Sequence, residues 1–286
     1  AKGGAEEAAK EIGGSVVQAA PSQVTAEAQI EFINNFVAQK VGVIAIAGND
    51  ANAVAPALKR AAKEGIRVIS YDSDVAPGAR QAFVNQVKGD SLAEMMLQSM
   101  HDLIGGEGEF AILSSTPTAT NQNAWIAFMN EKLASEPAFA KMKLVQTAYG
   151  EESEQVNQQQ ALALVQAFPD LKGLIVPSGL GLPAAARALE QAGNLDKIKL
   201  TGLAPATLMK KYIDAGESQD IWWNVTDLGY LTYHVAQLIA QCKITGSEGE
   251  TFSAGRLGDY TIGAAGEVVL GPAKIVTPAN LAEFKF

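Results

Sequence analysis

The sequence predicts an α/β protein with two lobes, each a doubly wound parallel sheet. Three observations carry this. Short apolar runs alternate with amphipathic helical segments along nearly the whole chain, and strands separated by helices of that length form parallel sheets with helices on both faces. Runs such as "VGVIAIAG" (41–48) are apolar at consecutive positions rather than alternating, as expected of strands buried on both sides. The length, 286 residues, suffices for two lobes of ordinary domain size.

The elements follow in order. Residues 2–12 carry helix signals and stop at Gly13-Gly14, and Val16 to Ala19 reads as a short strand. Ile30, Ile33 and Phe36-Val37 recur at the spacing of one helix face, so Val24 to Gln39 is expected to be helical. After "VGVIAIAG", a helix over 52–65 closes at Gly65 and "IRVISYD" forms the next strand. "VISYDSDVAPGARQAFVNQ" then passes through a Pro-Gly loop into a segment that reads as helical. "SLAEMMLQSMHDLIGG" is a helix with a Gly-Gly stop. Later strands are "GEFAILSS", "KLVQTAYG", "GLIVPS", "KLTGLA" and "DIWWNV", with helices between them, one beginning near Trp125.

Composition removes several classes. The formal charge is −9, with 31 acidic against 22 basic residues, which speaks against a nucleic-acid partner because neutralising phosphates needs a basic face. No apolar run is long enough for a membrane-spanning helix. The single cysteine, Cys242, leaves neither an intramolecular disulfide nor a cysteine-based metal cluster. No signal peptide is read at the start, and residue 1 already lies in what reads as helix, so the chain is expected to be processed or trimmed.

In doubly wound sheets ligands bind beyond the carboxyl ends of the strands. The residues there are Asn49-Asp50, Asp72 and Asp74, Thr116 to Asn123, Pro177 to Gly179, Ala204-Pro205 and Trp223-Asn224. The set holds carboxylates, amides and an aromatic, with no histidine or lysine. Asp72 and Asp74, one residue apart at a strand tip, are expected to converge on one small target: a metal, a phosphoryl group or the hydroxyls of a sugar. The run "VISYDSDVA" fits the D-x-D-x-V opening of haloacid-dehalogenase-like phosphatases, but no late acidic pair for Mg²⁺ follows. Gly179, Gly181 and Ala184 form a G-x-G-x-x-A between strand and helix, but the next strand ends in Ala204-Pro205 without the acid that holds a ribose. His101 and His234 both lie in helices and no G-x-S-x-G elbow exists, which disfavours acyl transfer. Two carboxylates alone hold Ca²⁺ weakly, so no metal and no cofactor are expected. A neutral polyol fits best: Asp72 and Asp74 accept from hydroxyls, Asn121, Gln122, Asn123 and Asn224 both donate and accept, and Trp223 offers an apolar face. Asn121 to Asn123 have a competing reading as caps of the following helix.

With these residues assembled, the chain resembles the type I periplasmic binding proteins, close to the rhamnose-binding and autoinducer-2-binding components of ABC importers. "YDSD", "SSTPTATNQNAWIAFM", "GLIVPSGLGLPAAARAL", "WWNVTDLGYL" and the tail "GEVVLGPAKIVTPANLAEFKF" carry the likeness in the family's order. The resemblance implies two lobes, 1–105 plus 225–263 and 106–224 plus 264–286, joined by crossovers near 104–107, 223–225 and 262–265, with ligand held between them. It implies a ligand contact at Asp74, others at Asn121-Gln122 where the autoinducer receptors have Asp-Gln, and others at Pro177 and Gly179. Trp223-Asn224 stands where the family often has Trp-Asp. It further implies a monomeric exported receptor without enzymatic activity, working with ABC permease subunits. The family opens with a strand before the helix that "AKGGAEEAAKEIGG" resembles, so an upstream strand is expected. An autoinducer-2 receptor, a D-x-D phosphatase and a sensory ligand domain remain as alternatives.

Overall fold

Apolar runs too short for helices and flanked by glycine, proline or acids form the strands here, and the amphipathic stretches between them form the crossovers. The computed structural model describes residues 1–21 and 23–284. In chain order the elements begin α1 (Lys2–Ile12), α2 (Ala26–Ala38), β1 (Val43–Ile46), α3 (Ala55–Lys63), β2 (Arg67–Tyr71), β3 (Ala82–Asn85), α4 (Gly89–Ile104) and β4 (Gly108–Ser114). There follow α5 (Thr120–Ser135), β5 (Met142–Tyr149), α6 (Glu154–Ala167), β6 (Leu171–Val176), α7 (Gly181–Gln191), β7 (Lys199–Leu203), α8 (Ala206–Asp214) and β8 (Ser218–Trp222). The chain closes with α9 (Val225–Ala240), β9 (Thr251–Ser253), β10 (Asp259–Thr261), β11 (Glu267–Val269) and β12 (Lys274–Val276).

The chain divides into two compact units, Ala1–Lys88 with Trp223–Pro272, and Gly89–Trp222 with Ala273–Phe286. In the first, a parallel sheet runs in the order β1-β2-β3-β11. Alternate residues of β2 serve opposite faces: Val68 joins Ile44, Leu58 and Ile33 under α2 and α3, while Ile69 joins Val84, Leu231 and Val235 under α9. Helix α1 lies on α9 at a separation that only glycine permits, since a β-carbon on Gly4 would stand 1.8 Å from the Thr226 carbonyl oxygen. The second unit has a six-stranded sheet in the order β12-β8-β7-β6-β4-β5, parallel except for β12. Leu113, Leu174, Leu200 and Leu189 pack with Tyr212 and Ile213 in its core under α6, α7 and α8.

Four expectations change. Residues 16–19 form no strand and pair with none among the described residues. The segment that reads as helical after the Pro-Gly loop makes only a short 3-10 turn, Pro77–Ala79, and then pairs as β3, because its β-branched and aromatic residues find a slot between β2 and β11. Helix α5 starts at Thr120, so Asn121 to Asn123 are inside its first turn rather than before it. The unit boundaries fall at 88/89, 222/223 and 272/273 instead of 105/106, 224/225 and 263/264. Helix α4 belongs with the second unit because Met96, Leu97 and Met100 are buried on a helix packed against β6, β7 and β8, and β11 belongs with the first because it pairs with β3.

Candidate functional site

In the second unit the sheet order reverses between β4 and β6: the chain runs outward to β5 and returns through α6 to the other side of β4. A reversal of this kind opens a crevice beyond the strand ends. The residues that follow β4 and β6 flank it. Gln122 is buried there, with its carbonyl oxygen accepting from the Ser114 hydroxyl at 2.8 Å and the Ser115 backbone N–H at 2.9 Å. Both acceptor bonds hold the amide in one orientation, so its NH₂ group is aimed by the protein rather than free to rotate. Asn121 accepts from the Gln122 N–H at 2.8 Å, and Asn123 donates to the Pro117 carbonyl at 2.8 Å, which makes Asn123 a brace of the loop. Pro177 is buried and Gly179 exposed at the end of β6.

Sequence reasoning missed Glu152, which meets Ser178 between these two. The Ser178 hydroxyl donates to the Glu152 carboxylate at 3.2 Å and accepts from the Gly181 N–H at 3.0 Å. Glu151 and Glu152 both have left-handed backbone, φ 54° and 48°, which turns the chain sharply after β5. Burial pushes the Glu152 carboxyl above the usual range, partly offset by its hydrogen bonds from Ser178 and Ser115. Two adjacent acids beyond a predicted strand were the available signal.

The first unit presents its own set. Asn49 follows β1, and its amide donates to the Thr25 carbonyl at 3.4 Å, while its backbone N–H donates to the Gln29 side-chain oxygen at 2.9 Å. Asp72 and Asp74 do not lie on one continuing strand. The strand ends at Tyr71, Asp72 takes a left-handed φ of 59°, and the Ser73 N–H turns back to the Tyr71 carbonyl at 2.6 Å, so strand alternation no longer governs where the acids point. Asp74 is paired with Arg80, which reaches it through Nε at 2.8 Å and Nη2 at 2.6 Å. Its Oδ1 also takes the Ser70 hydroxyl at 2.5 Å and the Val75 N–H at 2.8 Å, which leaves spare acceptor capacity on Oδ2. Arg80 is only 4% exposed and donates a further hydrogen bond to the Ala265 carbonyl. Asp72 is half-buried, and burial pushes its carboxyl up to about 6. Trp223 is also half-buried, and its indole N–H is enclosed without an acceptor among the described residues. Asn224 caps α9, its side-chain oxygen accepting from the N–H groups of Thr226 at 2.9 Å and Asp227 at 3.1 Å. The helix histidines behave as packing residues: His234 is buried against the Tyr230 ring, 4.7 Å between centroids.

A sequence profile described as a periplasmic binding protein domain matches residues 1–244. The chain belongs to that family. Its members are extracytoplasmic solute-binding receptors, not enzymes, which sets aside the phosphatase alternative. Among the described residues no helix is long and apolar enough to cross a membrane. The chain is similar to an ABC transporter solute-binding protein from Clostridium phytofermentas with bound L-rhamnose, at 35% identity and a TM-score of 0.94 over 98% of this chain and 91% of that one. It is similar to a sugar ABC transporter protein from Actinomyces odontolyticus, at 37% identity and a TM-score of 0.77 over 99% and 92%. LsrB from Clostridium saccharobutylicum, in complex with AI-2, shares the fold at a TM-score of 0.92, with 23% identity over 100% and 94%. A curated D-ribose/D-allose-binding protein of Pseudomonas aeruginosa is 24% identical over 66% of this chain, and the match spans 59% of that relative's length.

Proposed function

We propose that this chain is the receptor of an ABC importer for a small deoxy-sugar, L-rhamnose first among them, which it delivers to the permease subunits. The observation that carries the reading is the likeness, at 35% identity over 98% of the chain, to a solute-binding protein with L-rhamnose bound. The chemistry of the strand ends supports it. Asp72, Asp74, Asn49, Asn121, Gln122, Pro177 and Gly179 are the proposed contacts, with Trp223 bordering the sugar's methyl group and the Asn224 amide nitrogen as a further contact. Acceptors and donors of this kind suit hydroxyls. A buried acceptor left without its hydroxyl costs about 1–3 kcal/mol, so selectivity comes from hydroxyl geometry rather than apolar contact. Arg80 is spent on Asp74, which argues for a neutral ligand. The receptor works as a monomer.

Calorimetric titration of the protein with L-rhamnose, beside ribose, galactose and autoinducer-2, tests this. Heat with rhamnose at micromolar affinity or better is expected. Heat with autoinducer-2 alone would keep the transport role and replace the ligand; silence from rhamnose and all the others would overturn the choice of sugar.

A further inference from the structure

At the carboxyl ends of β4, β5 and β6, one carboxylate ties two strand ends together. The Glu152 carboxylate accepts from the Ser178 hydroxyl, with Oε1 at 3.2 Å and Oε2 at 3.4 Å, and from the Ser115 hydroxyl. Ser115 follows β4 and Ser178 follows β6, so Glu152 reaches across the point where the sheet order reverses. Three of the proposed sugar contacts are one step away. The Ser115 N–H donates to the Gln122 side-chain oxygen at 2.9 Å, and Pro177 and Gly179 are the chain neighbours of Ser178. The segment that carries Glu152 is itself fixed, because the Gly150 and Glu151 N–H groups donate to the Ser114 and Ser115 carbonyls, each at 2.8 Å.

The ordinary structural duties of an acid at this place fall to its neighbours. Ser153 caps α6, its hydroxyl accepting from the Val156 N–H at 3.4 Å. Glu154, in the first turn, takes the ion pair with Arg187. Glu152 has serine hydroxyls for partners and no cation among the described residues.

The arrangement also works against stability. Glu151 and Glu152 are consecutive non-glycine residues with left-handed backbone, a conformation that ordinary side chains resist. Burial without a cation pushes the Glu152 carboxyl up. Asn157, in the same cluster, is wedged between two glycines: a β-carbon on Gly150 or on Gly181 would stand 2.0 Å or 2.6 Å from its side-chain oxygen. That oxygen is enclosed without a donor among the described residues. Strain and unmet polar groups of this kind collect where a fold holds one geometry for function.

We propose that Glu152 is the positioning residue for the sugar contacts of the second unit: by holding Ser115 and Ser178 at once, it sets the separation of Gln122 from Pro177 and Gly179. This rests on the sugar-receptor reading above. The task needs a carboxylate. Ser178 Oγ already accepts from the Gly181 N–H at 3.0 Å, so its hydrogen needs an acceptor, and the Ser115 hydroxyl needs another. A carboxylate offers two oxygens and no donor, whereas an amide offers one oxygen and turns its NH₂ toward the second hydroxyl. Glu152→Gln therefore releases one strand end while keeping the side chain's size.

Calorimetric titration with L-rhamnose near pH 7, together with thermal melting, tests this on the parent, Glu152→Gln, Ser178→Ala and the double variant. Affinity and stability should part. Glu152→Gln should bind rhamnose about tenfold more weakly, the scale of one hydrogen bond to a charged group. Its melting temperature should equal the parent's or exceed it. The sign follows from a folded pKa raised above 4.5: the parent's stability is full below that value and is lost as pH rises through the folded pKa, and a side chain that cannot ionise avoids the loss. Ser178→Ala should also weaken binding, and the double variant should lose less than the product of the two single effects, because both act through one bond. An unchanged affinity in Glu152→Gln would overturn the proposal. So would a fall in melting temperature that matches the loss of affinity, the mark of a residue that only holds the loop. If the parent's heat comes from ribose, galactose or autoinducer-2 instead, the same comparison is made with that ligand. A parent silent to all four would overturn the receptor reading and this proposal with it, whereas a binding parent and an equally binding variant remove Glu152 alone.

Discussion

Asp220 is a carboxylate in the wrong place for neutral pH, and its replacement by asparagine makes a quantitative prediction. It sits mid-strand in β8, fully buried between β7 and β12. One oxygen accepts from the Ser218 hydroxyl at 3.0 Å, and the other has no partner among the described residues. Burial pushes its pKa from 3.8 up to about 7, with the Ser218 bond opposing. A folded pKa above the unfolded one means that the folded state binds the proton more tightly. Stability is then full below the unfolded pKa of 3.8 and is lost as pH rises, until the loss levels off above about 7. At 1.36 kcal/mol per unit the total loss is about 4 kcal/mol, of which about 2–3 kcal/mol falls between roughly pH 5 and pH 8. Asp220→Asn keeps the acceptor for Ser218 and cannot ionise. Near pH 5 the parent has already lost about 1–2 kcal/mol of that total, so the difference between variant and parent there is the baseline for the comparison. By about pH 8 the variant should be the more stable, by that same 2–3 kcal/mol beyond their difference at pH 5. Urea denaturation followed by circular dichroism at both pH values reads this directly. Other carboxyls raised by burial, Asp72 and Glu152, titrate in both proteins and cancel in the difference. A difference between variant and parent that does not change with pH would refute the reasoning, because it would mean that Asp220 is hydrated or paired in the folded state.

The remaining predictions concern the proposed sugar contacts and the backbone. Asp74→Ala should weaken sugar binding by at least tenfold but also strand the enclosed Arg80, at a cost of roughly 3–5 kcal/mol; Asp74→Asn, with melting and titration measured together, separates the two effects. Asp72 loses its charge as pH falls through about 6, so rhamnose affinity should fall over that range, and Asp72→Asn should remove the inflection; an unchanged pH profile in the variant would take Asp72 out of the site. Asn224→Ala should cost about 1 kcal/mol by uncapping α9, whereas Asn224→Asp should keep the cap and report through the titration alone whether that position touches the sugar. Gly202→Ala should unfold the second unit or leave it insoluble, since the new β-carbon would lie 1.9 Å from the Val176 carbonyl oxygen at a φ of 153°; a melting temperature within a few degrees of the parent would contradict it.

The sequence by itself determined the fold class and which polar residues stand at the strand ends. Runs such as "GEFAILSS" hide apolar residues at successive positions by lying inside a parallel sheet, and that sheet in turn sends its loops to the carboxyl ends. Asn49, Asp72, Asp74, Gln122 and Pro177 could therefore be named from position alone. What each one does there was decided by tertiary structure. Asp74 and Arg80 meet because a short 3-10 turn folds Arg80 back onto the strand end; Asn224 is drawn into capping α9; Glu152 reaches Ser178 only because β5 and β6 flank β4. Secondary structure was misread where local preference and available partners disagree. Ala82–Asn85 became a strand because β2 and β11 supply edges on both sides, and residues 16–19 pair with no strand among the described residues. A strand is not a property of its own residues alone, since its backbone bonds belong equally to the segment beside it.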